Sequence, residues 1–134
     1  MINPPTETIE QKKLVQWLRL KKIFHFAPTN ENQGSFTNRL VAIRVEAKAK
    51  SMGKINGVSD LIVMLPNKIL FIELKRAKKT LKSGKLSTSH TTVSDEQREF
   101  LQTIVDNFEY ADGFICYGAE EAIEFIKNSL EKTK

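Results

Sequence analysis

Apolar and polar positions along the chain separate into helical stripes, short alternating runs and one dense apolar block. Leu14, Trp17 and Leu18 recur at helical spacing, so the pattern predicts a helix that starts after Pro4-Pro5 and runs to about Lys22. At 100° per residue counted from Glu10, Leu14 lies at about 40°, Trp17 at about −20° and Leu18 at about 80°. Glu10 therefore falls inside the apolar arc. Residues 23–27 read as a short strand and 28–34 as a polar loop. Phe36, Leu40, Ile43 and Ala47 then predict a second helix over 35–52, with Ser35 as its N-cap and Arg39, Arg44, Lys48 and Lys50 on its other face. Gly53 and Gly57 end it and turn the backbone toward the apolar block.

That block, GVSDLIVMLPNKILFIELK, reads as two strands, 60–65 and 68–75, joined at Pro66-Asn67. Side chains alternate along a strand, so Phe71, Glu73 and Lys75 share one face and Ile72 and Leu74 the other. Asp60, Ile62 and Met64 likewise share a face. With the turn centred between Pro66 and Asn67, residues whose numbers sum to 133 oppose one another, and Asp60 faces Glu73. Their Cβ atoms would then lie roughly 4.5–5.5 Å apart. Two carboxylates that close repel unless they share a proton or a cation. Pro66 cannot take the positive φ of a type I′ turn, which favours a four-residue loop around a type I turn over a two-residue one. Either even count keeps the register.

Beyond Lys75 the chain turns polar and basic. Arg76, Lys78, Lys79, Lys82 and Lys85 precede the next acid, Asp95, in a stretch that reads as a loop, and His90 is taken as a loop histidine. Ser94-x-x-Gln97 forms a capping box that opens a helix to about Asn107, with Phe100, Leu101, Ile104 and Val105 as its buried stripe. A strand over 114–117 and a helix over 120–130, with Ile123, Ile126 and Leu130 inward, complete the chain. The order α, β, α, β-hairpin, α, β, α predicts an α/β fold: a small mixed sheet flanked by helices.

Composition narrows the chemistry. With 134 residues the chain suits one domain with a real core. Neither a membrane-length apolar run nor a signal peptide is seen, so a cytoplasmic, intracellular protein is expected. The lone cysteine, Cys116, excludes an internal disulfide and a Cys-rich zinc site, and it reads as a small buried apolar residue. With two histidines besides, a metal site would be built from carboxylate and carbonyl oxygens, a donor set for Mg²⁺ or Mn²⁺. The net charge of +5 and pI near 9.4 favour nucleic acid weakly; the acid-poor run from Arg76 to Lys85 says more.

Asp60, the x12 spacing and Glu73-Leu74-Lys75 together resemble the core motif of the PD-(D/E)xK nucleases. GVSDLIV…FIELK followed by SDEQREFL resembles their VRR-Nuc branch, the virus-type replication-repair nucleases. Ser59 stands where that family often has proline, and VAIRVEAK stands where the family name has Val-Arg-Arg. FHFAPTNENQG is similar to the family's H-x-PNE element with one extra residue, Thr29, and brings in His25, Asn30 and Glu31.

The resemblance implies a restriction-endonuclease-like core, with Asp60, Glu73 and the Leu74 carbonyl as ligands of Mg²⁺ or Mn²⁺ and Glu10 reaching the same site. Lys75 would orient or deprotonate the attacking water, or neutralise charge on the phosphorane, with Gln97 beside the site. Arg76, Lys78, Lys79, Lys82, Lys85, Arg39, Arg44, Asn30 and Ser94 are the expected nucleic-acid contacts. The implied protein is a homodimeric, structure-specific DNA endonuclease of replication, repair or recombination, like the Holliday junction resolvases, with no small-molecule cofactor and no membrane. Plainer readings stand beside these: a buried ion cluster for Asp60, Glu73 and Lys75, a helix-dipole acid for Glu10, an ordinary turn around His25, and solvated faces for the basic runs. The alternative class is a nuclease-fold module that binds nucleic acid without cutting, or cuts only with a partner protein.

Overall fold

The computed structural model describes residues 4–28 and 38–132. In chain order they form α1 (Glu7–Leu20), β1 (Phe24–Phe26), α2 (Arg39–Ser51), β2 (Leu61–Leu65), β3 (Lys68–Lys75), β4 (Lys79–Thr80), β5 (Leu86–Ser87), α3 (Asp95–Asn107), β6 (Ala111–Tyr117) and α4 (Ala119–Lys132). One sheet has the strand order β1-β2-β3-β6, with the first three antiparallel and β6 parallel to β3. A crossover through α3 makes that last pairing possible. This is the expected α/β architecture with a small mixed sheet.

β3 is the centre of the sheet and its two faces differ. Leu70, Ile72 and Leu74 are buried against Leu14 and Leu18 of α1 and Ile126 of α4, and Leu61, Val63 and Cys116 join the same core. The other face carries Phe71, Glu73 and Lys75. There Phe71 meets Phe100 of α3 edge to face at 5.8 Å. Full burial of one Leu or Ile stabilises by about 1.5–3 kcal/mol. Burial also pushes the Cys116 thiol up to about 12, in keeping with a packing role.

The hairpin register is the expected one. Leu61 pairs with Ile72, Val63 with Leu70 and Leu65 with Lys68. The connection is shorter than predicted, Pro66-Asn67 only, and neither residue has positive φ. A two-residue loop without the primed geometry therefore serves here, and Asp60 lies just before β2 instead of inside it.

Other differences have local causes. Ser35 and Phe36 lie outside the described residues, and Asn38 caps α2 by accepting from the Leu40 N–H at 2.8 Å. α2 buries no residue; Leu40 and Ile43, expected on a core face, are 63% and 52% exposed. On α3 Leu101 is buried, lying close over Gly113 of β6, while Phe100 and Ile104 are half-buried and Val105 is exposed. The stretch after Lys75 is not wholly irregular: β4 and β5 form a small antiparallel hairpin turned at Gly84. Among the described residues no helix is long and apolar enough to cross a membrane.

Candidate active site

Asp60 and Glu73 meet on the face of the hairpin away from the main core. The Leu74 N–H donates to Asp60 Oδ2 at 2.9 Å, which fixes that carboxylate against the end of β3. A strand residue's N–H and C=O leave on the same side, so the Leu74 carbonyl faces the Asp60 edge as well. Glu73 is buried, and its Oε1 accepts from Gln97 Nε2 at 2.6 Å with Lys75 Nζ at 3.4 Å. Its second oxygen, Oε2, is buried with no hydrogen-bond partner. Lys75 is only 6% exposed.

The electrostatics follow from this crowding. Burial, then the neighbouring Asp60 charge, pushes the Glu73 carboxyl up from 4.5 to about 7, although Lys75 pulls it down. Asp60 is also raised, chiefly by burial, against the opposing pull of the Leu74 N–H and Lys75. One lysine does not compensate the buried Glu73 and the half-buried Asp60 together.

An oxygen-only cation site would suit this arrangement: two carboxylates, one with an unpartnered buried oxygen, and a carbonyl on the same edge. Among the described residues no group of three or more His, Cys, Asp or Glu side chains is arranged to hold a metal. Mg²⁺ is often held by one or two carboxylates with water completing its shell, so the residues present fit it.

Gln97 is held from three sides. Its Oε1 accepts from the Ser94 N–H at 2.9 Å, and its own N–H donates to Ser94 Oγ at 3.1 Å. The capping box therefore fixes which end of the amide faces Glu73, since Oε1 is already engaged. Gly57 completes the support: a Cβ there would lie 2.5 Å from the Glu96 carbonyl carbon and oxygen and 2.8 Å from the Gln97 nitrogen, and its φ is +83°. Only glycine lets the turn that delivers Asp60 press so closely on the first turn of α3. Ser59, fully buried beside Asp60, has a hydroxyl with no partner.

Helix α1 carries two acids in its first turn, Glu7 and Glu10. Glu10 Oε2 accepts from the Ala119 N–H at 3.0 Å, and its Oε1 lies 3.6 Å from Lys13 Nζ. Its carboxylate thus sits at the start of α4, where negative charge meets the positive end of the helix dipole. The acid whose charge raises both Asp60 and Glu73 is Glu7, one turn earlier and exposed. The signal was present: on the same wheel Glu7 falls at about 60°, between Leu14 and Leu18.

Several expected nucleic-acid contacts are otherwise engaged. Arg76 donates from Nε to the Pro5 carbonyl at 3.2 Å and from Nη2 to the Pro4 carbonyl at 2.6 Å, so its guanidinium holds the chain leading into α1. Lys78 lies 4.0 Å from Glu121 and over the Tyr117 ring. Lys82 and Lys85 are exposed between β4 and β5, with Lys79 half-buried on β4. Arg39 and Arg44 are on α2, which makes no substantial contact with any other described element. Asn30 and Glu31 lie outside the described residues, and the His25 ring bonds through Nδ1 to the Ile23 carbonyl at 2.8 Å. The loop histidine is better placed than its sequence suggested. His90 Nε2 bonds the Ala77 carbonyl at 2.8 Å, its Nδ1 is buried without a partner, and the adjacent Thr91 reaches Glu7 at 3.5 Å.

No protein-family model matches the chain. No curated protein matches its sequence. Among solved structures, a VRR_NUC domain protein superposes with a TM-score of 0.62 over 97% of this chain and 92% of its own, at 18% identity. At that identity the likeness is one of fold. The chain therefore has the α/β fold of a VRR_NUC domain protein, with a mixed four-stranded sheet between helices.

Proposed function

We propose that the chain is a divalent-metal-dependent nuclease that hydrolyses phosphodiester bonds in DNA, an endonuclease of replication, repair or recombination that works as a homodimer. The observation that carries this reading is the buried Glu73 with the half-buried Asp60 facing it, Lys75 beside it and one Glu73 oxygen unpartnered. The fold shared with a VRR_NUC domain protein supports it.

In this reading Asp60, Glu73 and the Leu74 carbonyl would hold Mg²⁺ or Mn²⁺, and Glu7 adds negative charge near them. A cation there polarises the scissile phosphate and lowers the pKa of a bound water. Lys75, held 3.4 Å from Glu73, orients the attacking water and offsets the charge that grows on phosphorus. Gln97 keeps Glu73 turned so that its second carboxylate oxygen, buried and unpartnered, is left for the cation. Lys79, Lys82 and Lys85 grip the phosphate backbone beside the site. Glu10 holds α4, and Arg76 holds the start of α1, so both act on the site through the scaffold.

The test is cleavage of a panel of end-labelled DNAs (four-way junction, flap, nick and plain duplex) with Mg²⁺ or chelator. Metal-dependent cutting of at least one member is expected, and the preferred member names the substrate class. Metal-independent binding with no cutting of any member would instead make the chain a nuclease-fold binding module.

A further inference from the structure

The segment that follows β3 is built as an arm. β4 and β5 pair antiparallel, Lys79 opposite Ser87 and Thr80 opposite Leu86, and neither makes a substantial contact with any other described element. A lone two-stranded hairpin is marginal in water, so its ends need support. At the tip, the Leu81 N–H donates to the Lys85 carbonyl at 2.8 Å and the Gly84 N–H to the Leu81 carbonyl at 2.9 Å, with Gly84 at φ +86°. At the base, His90 Nε2 bonds the Ala77 carbonyl at 2.8 Å and so ties the two ends of the hairpin together. A carbonyl only accepts, so that nitrogen carries the proton. Lys78 is held by Glu121 and the Tyr117 ring, and Thr91 reaches Glu7 at 3.5 Å. The arm is fixed at its root, and residues 80–86 beyond it are exposed.

What the arm presents is both basic and apolar. The register puts Lys79, Leu81, Lys85 and Ser87 on one face and Thr80 and Leu86 on the other. Leu81 is 41% exposed and Leu86 63%. The sequence has no acid between Arg76 and Ser94, and none of residues 79–87 is Phe, Tyr or Trp. A grip on phosphates alone accounts for the lysines and makes no use of the leucines.

The dimensions decide where such an arm fits. Two strands about 4.8 Å apart with side chains on both faces make a ribbon about 10 Å thick. The major groove of B-form DNA, about 12 Å wide and about 8.5 Å deep, admits a two-stranded ribbon, whereas the minor groove is only about 6 Å wide. Extended chain from Lys79 to the turn covers about 10 Å, enough to reach the groove floor. Ala77 follows Lys75 by two residues, so the root lies within about 7 Å of chain from the site. We infer that the β4–β5 hairpin enters the major groove of duplex DNA beside the scissile phosphate. Lys79, Lys82 and Lys85 then meet the flanking phosphates, and Leu81 and Leu86 meet base edges, thymine methyl groups among them. The narrow major groove of A-form RNA shuts such a ribbon out, and a single strand would call for aromatic stacking platforms that the arm lacks. The inference deepens the proposed function, and rests on it for the position of the cut: the substrate has intact B-form duplex next to the cleaved bond.

The test measures binding in chelator, where cleavage plays no part. Fluorescence anisotropy compares a short labelled DNA duplex with the same duplex carrying glucosylated hydroxymethylcytosine, whose neutral sugar fills the major groove. A third duplex carries diaminopurine for adenine, which alters only the minor groove. Wild type should bind the glucosylated duplex at least about tenfold more weakly than the plain one and the diaminopurine duplex equally well. Leu81→Ser combined with Leu86→Ser should weaken binding to the plain duplex at least about tenfold, with the slope of log affinity against log salt unchanged because no charge is lost. The glucosylated duplex tests wild-type protein, so a misfolded variant cannot imitate that result. Equal affinity for the plain and glucosylated duplexes overturns the inference, as does a leucine variant that binds like wild type. Groove-dependent binding without any cutting in Mg²⁺ would keep the inference and end the nuclease reading. Cutting that ignores both the glucose and the leucines would do the reverse.

Discussion

At the scale of single residues, Glu73 is the most informative group. Its proton is held to about pH 7 in the fold but leaves near 4.5 in the unfolded chain. Between those values the folded state binds more protons, so the metal-free protein loses stability as pH rises through the window. The loss should be about 3 kcal/mol, and Asp60, also raised, acts in the same direction. Urea unfolding in chelator at pH 5 and pH 8 measures it. Glu73→Gln should flatten the dependence, and Mg²⁺ at pH 8 should reverse it in wild type only. A metal-free protein more stable at pH 8 than at pH 5 would mean that the two acids are compensated in some other way. Ser59 gives a smaller test beside the same pair. Removing a buried hydroxyl without a partner, as in Ser59→Ala, should stabilise by about 1 kcal/mol and leave cleavage unchanged. The facing of Asp60 and Glu73 was legible in the sequence because strand alternation and an even turn leave one register. How the two α1 acids are engaged was not. Glu7 and Glu10 share the apolar arc, and what separates them is where α4 begins, a contact between residues 109 positions apart.

Among the elements, the turn before β2 and the first turn of α3 act as one support. Gly57→Ala must either move the Glu96 carbonyl or leave φ near +83°, so it should cost at least about 2 kcal/mol and lower the cleavage rate by displacing Gln97. Gly53 also has positive φ but meets nothing within 4 Å, so Gly53→Ala should cost about 1 kcal/mol with the rate unchanged. Equal effects at both positions, read by thermal unfolding and initial rates, would mean that the contact with α3 does not matter. Periodicity made the long helices and the hairpin legible. It failed where no core decides: β6 begins three residues before its apolar run, at Ala111, because it pairs with β3 there. β4 and β5 are too short to show a period, and the apolar spacing of α2 did not show that its stripe stays exposed.

For the whole molecule, the fold was legible because element order and the apolar hairpin constrain a small mixed sheet strongly. The proposed nucleic-acid contacts were less so, since a run of positive charges does not reveal which ones the scaffold uses. Arg76 is held by Pro4 and Pro5 and Lys78 by Glu121 and Tyr117. Neutralising Lys79, Lys82 and Lys85 together should therefore weaken DNA binding for all sequences alike. The slope of log affinity against log salt should fall by about two to three units if all three reach phosphate. An unchanged slope would leave those lysines as a solvated surface. The most direct measurement of the central claim is the single-turnover cleavage rate of a labelled DNA junction in Mg²⁺, for wild type, Asp60→Asn and Lys75→Ala. Cutting by wild type that stops in chelator, with each variant at least about a hundredfold slower yet still binding DNA, is the predicted result. Either variant cutting at the wild-type rate under the same metal and salt would contradict the assignment of the acid pair and its lysine to catalysis.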